Sequence, residues 1–502
     1  MLHELLELRQ RLSNTEDVDS NQVYQHKLEI IQNNLYGVDV DVFAVNIARL
    51  RLWLSLAVDY EGDKPQPLPN LKYKIEVGDS LISPNPTEIK LTDVLIEKYR
   101  QVKAEYIKTH NGDRKKVLEK EITKLKKEIS LITYGNAEVN KFDWSLDFAE
   151  VFADGGFDVI VANPPYVRQE LIKHLKPSLK KVYPEVYTGT ADLYCFFYAR
   201  ALELIEKGGM LAFISPNKWF RAKYGEKLRK YVADNCQVQS ITDFGELPVF
   251  KSAATFPMIF IGQNKKSKDC ITTFTPVKSL KEPYPNVLQV ILQNGYTLSS
   301  EAISGSNWML TDVKSAYLIK TMESSGIPLN EYVDNHIYYG VKTGFNKAFV
   351  IDREKKAELI AKDPKSAEII KPLVVGNDIR KWNARSKDKW LIYSPWSLNI
   401  DKYSAIKNHL SRWEKELKKR SECKSGRYNW WCMARYGANY ASFFDEPKII
   451  YPIIAKESRF TFDNRGFFTN DSAFIIPLSD LYLLGILNSS CVWQWFGQFL
   501  LG

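Results

Sequence analysis

The stretch that decides the fold is Phe157-Asp158-Val159-Ile160-Val161-Ala162-Asn163-Pro164-Pro165-Tyr166. Its first six residues form a near-continuous apolar run, of strand length and of the kind buried in a parallel sheet. Two prolines then remove two backbone donors and hold the chain extended. An open parallel sheet presents its functional residues at the carboxyl ends of its strands. There the side-chain oxygen of Asn163 and the carbonyl of Pro164 can both face an incoming group as acceptors. An amine giving them its two hydrogens has its lone pair steered in a third direction, and Tyr166 offers a flat face to a planar ring. Such a site makes an exocyclic amine nucleophilic without a general base of shifted pKa. The alternative is a plain Pro-Pro turn behind a buried strand.

Working outward, residues 1–60 read as helix, strand (Leu35 to Val38, ended by Asp39) and helix, and a short strand from Tyr73 to Val77 closes on Gly78-Asp79-Ser80. Residues 91–133 have a charged, helical texture broken at His110-Asn111-Gly112-Asp113. They predict a helical hairpin inserted between two strands, a solvated charged pair rather than a DNA contact. Past Tyr166, helix 192–207 leads through Gly208-Gly209 to a strand, Met210 to Ile214. Helix 224–234 follows, then strands near 238–243 and 256–262. Strand alternating with helix predicts a doubly wound, Rossmann-like α/β domain to about residue 270. After about 300 the pattern turns to short strands and Gly/Pro/Asn turns, a mixed α+β domain. The expected division is 1–300 and 301–502.

Composition separates the same two parts. Of 69 basic and 60 acidic residues, 29 and 22 lie in 301–502, a net of +7, which leaves +2 for the first 300. Nine of the twelve tryptophans also lie in 301–502. Residues 371–440 alone carry 16 basic against 6 acidic side chains. A basic, tryptophan-rich half beside a nearly neutral one points to a polyanion-binding module, with Lys342, Arg380, Lys381, Arg385 and Arg427 as candidate phosphate contacts. A solvated basic face and core tryptophans are the alternative. No apolar run reaches the roughly 18 residues needed to cross a bilayer. The six cysteines lack metal-ligand spacing and fit reduced thiols in a cytoplasmic protein.

The Asn-Pro-Pro-Tyr run behind an apolar strand resembles the hallmark of the methyltransferases that modify adenine N6 in DNA. LYGVDVDVFAVNIARLRLWLSL (35–56), GDSLI (78–82), TGTADLYCFFYARALELIEKGGMLAFISPNKWFRAKYGEKLR (188–229) and DFGELPVF (243–250) are similar to the large enzymes of Type IIG and Eco57I-like restriction-modification systems. YYGVKTGFNKAFVID (338–352) is similar to the start of their TaqI-like target-recognition domain. The resemblance covers nearly the whole chain. It implies S-adenosylmethionine as cofactor, double-stranded DNA as partner, and catalysis by Asn163, Pro164, Pro165 and Tyr166 on an adenine flipped out of the duplex. Asp39 would take the cofactor's ribose hydroxyls, as an acidic residue after the second strand does in nucleotide folds. Val40 would lie on its adenine and Asp79 would accept from its amino group, although Asp79 also reads as a turn or cap residue. Tyr166 would stack on one face of the target base and Tyr224 on the other, with Phe220 and Trp219 as rivals.

One family element is missing from the sequence. The Asp-Pro-x-Cys-Gly-Ser-Gly type loop after the first strand is absent, and Gly37 is the single glycine in residues 1–60. The expectation is a sheet lacking a central strand, in a chain that starts just downstream of this loop and stops short after FLLG. Three functions stay open on the residues: a DNA adenine-N6 methyltransferase; a non-catalytic DNA-binding fragment or subunit of a split system, dependent on an N-terminal fragment; and a related enzyme methylating protein glutamine or RNA. The basic extension disfavours the third.

Overall fold

The computed structural model describes all residues except 14–19, 61–68, 84–92, 135–140, 251–254, 266–270, 283 and 500–502. Most of the Pro-rich run between residues 64 and 69, the start of the charged stretch at 91, Cys270 and the end of FLLG lie outside the described residues. The chain divides into two compact units, Met1–Asp312 and Val313–Leu501. The boundary falls twelve residues beyond the expected one because Ile303, Trp308 and Leu310 belong to the first unit's core. There the Trp308 ring packs 5.2 Å from Trp219 and 5.7 Å from Phe220. With this division the charge split becomes complete. The first unit carries 40 basic and 40 acidic residues, and the second 29 and 20, the whole excess of nine.

The first unit opens with α1 (Leu2–Ser13) and α2 (Ser20–Asn33), then β1 (Gly37–Asp39), α3 (Val42–Ala57) and β2 (Ile75–Val77). Asp41 starts α3 by accepting from the Phe43 amide at 2.8 Å. Leu6, Tyr24, Ile31 and Leu56 form a small core among these helices. The charged stretch is a pair of packed helices, α4 (Asp93–Lys108) and α5 (Gly112–Tyr134), with Tyr99, Leu118, Ile122 and Ile129 buried between them. Its charges are not all solvated. Lys103 is buried and reaches Glu150 at 3.0 Å, and Lys126 reaches Asp147 at 2.6 Å. Both acidic residues sit on the short helices α6 (Trp144–Asp147) and α7 (Ala149–Ala153), which leads into β3 (Phe157–Ala162).

After β3 come α8 (Lys176–Val182), α9 (Tyr194–Leu204), β4 (Ile205–Pro216), α10 (Glu226–Asn235), β5 (Gln237–Asp243), β6 (Pro257–Gln263), β7 (Thr272–Pro276), α11 (Val287–Asn294) and β8 (Tyr296–Leu298). The strands lie in two sheets. One is the parallel pair β1–β2; the other has the order β3-β4-β6-β5-β7-β8. β3 runs parallel to β4 and β5 to β7, while β6 is antiparallel to both its neighbours and β8 to β7. The observed wiring is therefore a mixed sheet beside a separate parallel pair. The main core, which includes Tyr198, Phe213, Trp219 and Phe260, lies where α9 meets this sheet. One expectation is overturned. β3 is not buried on both faces: it is the edge of its sheet, and Val159 and Val161 are exposed.

The second unit begins with α12 (Val313–Ser325), α13 (Leu329–Tyr332), β9 (Tyr338–Tyr339), α14 (Asn346–Phe349), β10 (Val350–Ile351) and α15 (Arg353–Lys362). It continues through β11 (Ile370–Val374), β12 (Ile379–Arg380), β13 (Asn383–Ala384), β14 (Lys389–Ile392), α16 (Ser404–Ser411), α17 (Glu414–Lys418) and α18 (Ser421–Lys424). It ends with β15 (Lys448–Pro452), β16 (Thr461–Asp463), β17 (Phe468–Thr469), β18 (Ala473–Ile476), α19 (Leu481–Leu487) and α20 (Ser490–Phe499). There are two four-stranded sheets, β10-β14-β11-β17 and β16-β15-β18-β9, and a small hairpin, β12–β13, that lies against β15 and β16. Lys448 and Asp463, paired across β15 and β16, are fully buried and 2.7 Å apart.

Candidate active site

Asn163 follows directly on β3, exposed, and its side-chain amide has no hydrogen-bond partner among the described residues. Proline supplies no amide at 164 or 165. The Val167 amide takes the Pro165 carbonyl at 2.9 Å, and the Pro164 carbonyl has no donor among the described residues. Two acceptors, the Asn163 oxygen and the Pro164 carbonyl, therefore stay free at one strand end. The chain beyond them is fastened to the start of α9. The Leu193 amide donates to the Val167 carbonyl at 3.0 Å, and Asp192 accepts from the Gln169 amide at 2.9 Å. Burial raises the pKa of the Asp192 carboxyl.

Tyr166 is half-buried, with its hydroxyl 3.3 Å from the Ile214 carbonyl and its ring edge-on to Tyr194 at 6.4 Å and to Phe250 at 6.2 Å. Burial raises its phenol pKa, so it stays neutral. Tyr224 hydrogen-bonds the same Tyr194 through its hydroxyl at 2.9 Å. Tyr194 thus ties Tyr166 and Tyr224 into one aromatic group. Trp219 and Phe220, the rivals of Tyr224, are buried in the core. Gly225 is obligatory beside Tyr224, because a Cβ there would lie 2.0 Å from the Trp219 carbonyl. Opposite, the Asn217 amide donates to Asp243 at 2.7 Å, and the Gly245 amide donates to the same oxygen at 2.9 Å. This pair joins the Ser215-Pro216-Asn217 strand end to the Asp243–Phe250 loop.

The other carboxylates are brought together by the parallel pairing of β1 and β2, in which Asp39 lies opposite Val77 and the Gly78 amide donates to the Asp39 carbonyl at 2.9 Å. Asp39, Val40 and Asp79 are all exposed. One oxygen of Asp39 accepts from the Asp41 amide at 2.8 Å. One oxygen of Asp79 accepts from the Leu81 and Ile82 amides at 2.9 and 3.0 Å, so the turn role expected of it is real. The second oxygen of each has no partner among the described residues. Gly78 must be glycine: a Cβ would lie 2.2 Å from the Phe142 side chain.

Sequence reasoning missed what holds this turn in place. Arg200, buried inside α9, donates to the Leu81 carbonyl at 2.7 Å, the Ser83 carbonyl at 2.8 Å and the Tyr183 hydroxyl at 2.8 Å. It also pairs with Glu203 at 3.0 Å. Tyr183 in turn donates to the Leu81 carbonyl at 2.7 Å. The signal was present in YCFFYARALEL, where one arginine interrupts an apolar helix.

Residues 33–250 match the family described as the Eco57I restriction-modification methylase, and residues 371–500 match the TaqI-like C-terminal specificity domain. The chain carries an Eco57I-like restriction-modification methylase domain and a TaqI-like specificity domain. It is similar to the Type II methyltransferase M.BstVI of Geobacillus stearothermophilus, 26% identical over 356 residues, which covers 66% of this chain and 60% of M.BstVI. RM.Eco57I of Escherichia coli, a Type II restriction enzyme and methyltransferase, is 27% identical over 344 residues, which covers 67% of this chain and 29% of that one. The chain thus spans less than two thirds of either relative. The Type IIL restriction-modification enzyme MmeI, solved in complex with DNA, superposes with a TM-score of 0.54 over 97% of this chain and 62% of its own, at 15% identity, which shows a shared fold.

The candidate cations of the second unit fall into two groups, partly within the specificity domain. Arg380, Lys381 and Arg385 lie on or beside the β12–β13 hairpin. Lys381 and Arg385 are exposed. Arg380 is half-buried and largely committed, donating to the Asn377 and Ile379 carbonyls at 2.6 and 2.9 Å. The hairpin tip is Trp382, exposed and held at φ +70°. A bulky residue in that region is strained, and such strain clusters at functional sites. Lys342 and Arg427 form the second group, both acting on Glu422, whose carboxyl is held low first by the Ser421 hydroxyl and its own backbone. The Arg427 guanidinium also lies 5.3 Å from the Trp396 ring. The other tryptophans of the basic stretch, at 390, 396, 413, 430 and 431, are half-buried, as core residues are.

Proposed function

We propose that the methylase domain transfers a methyl group from S-adenosylmethionine to the N6 amine of an adenine flipped out of duplex DNA, at sites chosen by the second unit. The observation that carries this reading is the pair of free acceptors, the Asn163 oxygen and the Pro164 carbonyl, at the end of β3 beside Tyr166. An adenine amine donating both hydrogens there presents its lone pair to an electrophile. Tyr166 and Tyr224 would hold the ring between them, with Tyr194 fixing their separation. Neutral tyrosines suit a neutral base. Positioning by fixed acceptors replaces a general base.

The residues beside β1 fit the nucleoside half of the cofactor. Asp39 and Asp79 each keep one carboxylate oxygen free, for ribose hydroxyls and a ring amine, and exposed Val40 can cover a ring face. Bound there, the cofactor supplies an electrophilic methyl group. Among the described residues, none beside Asp39 forms a glycine cradle for its methionine half. For DNA, the whole net charge of the second unit and its exposed hairpin favour phosphate contact, and transfer within a restriction-modification system places the protein in the cytoplasm.

The test is incubation of the chain with duplex DNA and labelled S-adenosylmethionine, followed by nucleoside analysis. Label in N6-methyladenine that disappears in Asn163→Ala supports the reading. Label in methylcytosine, or undiminished label in the variant, would sink it.

A further inference from the structure

Lys381 and Trp382 form a two-residue turn between β12 and β13, closed by the pairing of Arg380 with Asn383 and of Ile379 with Ala384. Trp382 holds a φ of +70° in that turn. Glycine and asparagine are the usual residues at such a position, because a side chain with a Cβ is poorly tolerated there. Asparagine is the next residue, at 383, yet the indole stands in the strained place. Burial does not offset the strain. Trp382 is 54% exposed and belongs to neither core of the second unit.

The backbone beneath the ring is fastened. The Trp382 amide donates to the Phe460 carbonyl at 3.1 Å, and the Arg385 amide to the Asp378 carbonyl at 2.9 Å. The Arg465 guanidinium donates to the Ala384 carbonyl at 3.1 Å, and Ile379 and Ala384 are buried. A large flat ring is therefore held out into solvent on a rigid mount. Such a conflict between local preference and fold is expected where function requires it.

The charges around the ring select what it meets. Lys381 to Lys389 carries four basic side chains against one acidic. Lys387 is engaged by buried Asp378 at 3.4 Å, whereas Lys381 and Arg385 are exposed and have no ion-pair partner among the described residues. Free cations call for a polyanion, and an exposed indole on the same hairpin calls for one that offers flat apolar faces. Bases strung on a phosphate chain answer both requirements; a sulfated or phosphorylated surface answers only the first.

We propose that Trp382 is a wedge: on DNA its indole enters the base stack at a loosened step and stacks on a base, while Lys381 and Arg385 hold nearby phosphates. The proposal rests on the reading that the second unit binds duplex DNA. It adds a contact that senses how readily a step unstacks, beyond which bases compose it. A rigid mount suits this role, because a ring already held outward loses little freedom on insertion.

The test uses the full chain and two short duplexes of one sequence, one intact and one with a single abasic site, whose gap takes a ring without unstacking a pair. The parent should bind the abasic duplex about tenfold more tightly than the intact one. Trp382→Gly should bind both alike, with its affinity for the abasic duplex down roughly tenfold. Its salt dependence on the intact duplex should not change, since no charge is removed. Glycine suits φ +70°, so this variant should resist denaturant at least as well as the parent. Trp382→Phe keeps a flat face and should keep most of the preference.

Equal affinity of the parent for the two duplexes overturns the proposal. So does a preference that survives in Trp382→Gly, which would assign it to base flipping elsewhere in the chain. So too does a loss of stability in that variant, which would make the ring a structural element. Methyl transfer is not the readout. A Trp382-dependent preference in a chain that transfers no methyl group refutes the reaction proposed above and leaves the wedge standing, and methyl transfer without the preference does the reverse.

Discussion

Replacing Arg200 by methionine tests how the turn at 79–83 is held. Methionine keeps most of the buried aliphatic volume and removes the guanidinium. The Leu81 carbonyl keeps one donor, the Tyr183 hydroxyl, so it is not orphaned. The Ser83 carbonyl loses the Arg200 donor, and Glu203 loses its cation in a partly buried position. An orphaned buried carbonyl costs about 1–3 kcal/mol, and breaking a buried ion pair by removing one partner about 3–5 kcal/mol. Since Glu203 can still reach water, the lower end applies, roughly 3 kcal/mol. The assay is hydrogen exchange at the Leu81 and Ile82 amides, both of which donate to Asp79. A loss of that size in local opening free energy speeds exchange by about two powers of ten. Adding Glu203→Gln should recover part of it, because the uncompensated carboxylate is gone. Arg200→Lys should fall between the parent and the methionine variant, since its ammonium keeps a cation near Glu203 but cannot reach all the acceptors that the guanidinium serves. Less than a threefold change in Arg200→Met would refute the claim that this residue holds the turn.

Four further outcomes are expected. Asn163→Ala should abolish methyl transfer with duplex affinity within about threefold, and a parallel loss of DNA binding would reassign Asn163 to structure. Neutralising Lys381 and Arg385 together should reduce the slope of log affinity against log salt by about 2, whereas Arg380→Ala should mainly loosen the hairpin; an unchanged slope in the double variant would place both on a solvated face. Lys448→Met should destabilise the second unit by about 3–5 kcal/mol by stranding Asp463, and chemical denaturation showing under 1 kcal/mol would contradict the buried-pair account. Burial, and then neighbouring Lys103, lower the Lys74 pKa from 10.5 to about 8 against the opposing pull of Glu150. The unfolded chain therefore binds the extra proton between those values, and first-unit stability should rise with pH from about 8 towards 10.5. Lys74→Met should remove that part of the rise, and a pH profile identical to the parent's would refute it.

The local elements that carry the candidate site were legible because they depend on residue type and local spacing. The Asn-Pro-Pro-Tyr run needs only a strand before it, and the elements around Asp39 and Asp79 are set by apolar runs ending in Asp or Gly. What escaped depends on tertiary pairing. FDVIVA taken alone reads as a fully covered strand; the edge of β3 that is unpaired among the described residues was signalled elsewhere, by the glycine loop missing from residues 1–60. The role of Arg200 cannot be seen from its own apolar helix, because its acceptors, Leu81 and Ser83, lie about 120 residues upstream in sequence. Arg380 and Lys381 are alike as charges, and only the carbonyls at Asn377 and Ile379 separate them. The domain boundary slipped because Trp308 packs backwards into a core built from residues far before it.

The placement of Trp382 gives the second unit a built-in optical reporter. It is the exposed tryptophan of the basic stretch, with its ring 5.6 Å from the Lys381 ammonium, while those at 390, 396, 413, 430 and 431 are half-buried. Iodide, a collisional quencher drawn to cations, should therefore reach this indole before the others. Its emission should lie to the red of theirs, so selective excitation would follow the hairpin tip alone. An approaching polyanion would displace the halide, and the recovery of that red component would record hairpin contact in real time, without any label attached to the protein.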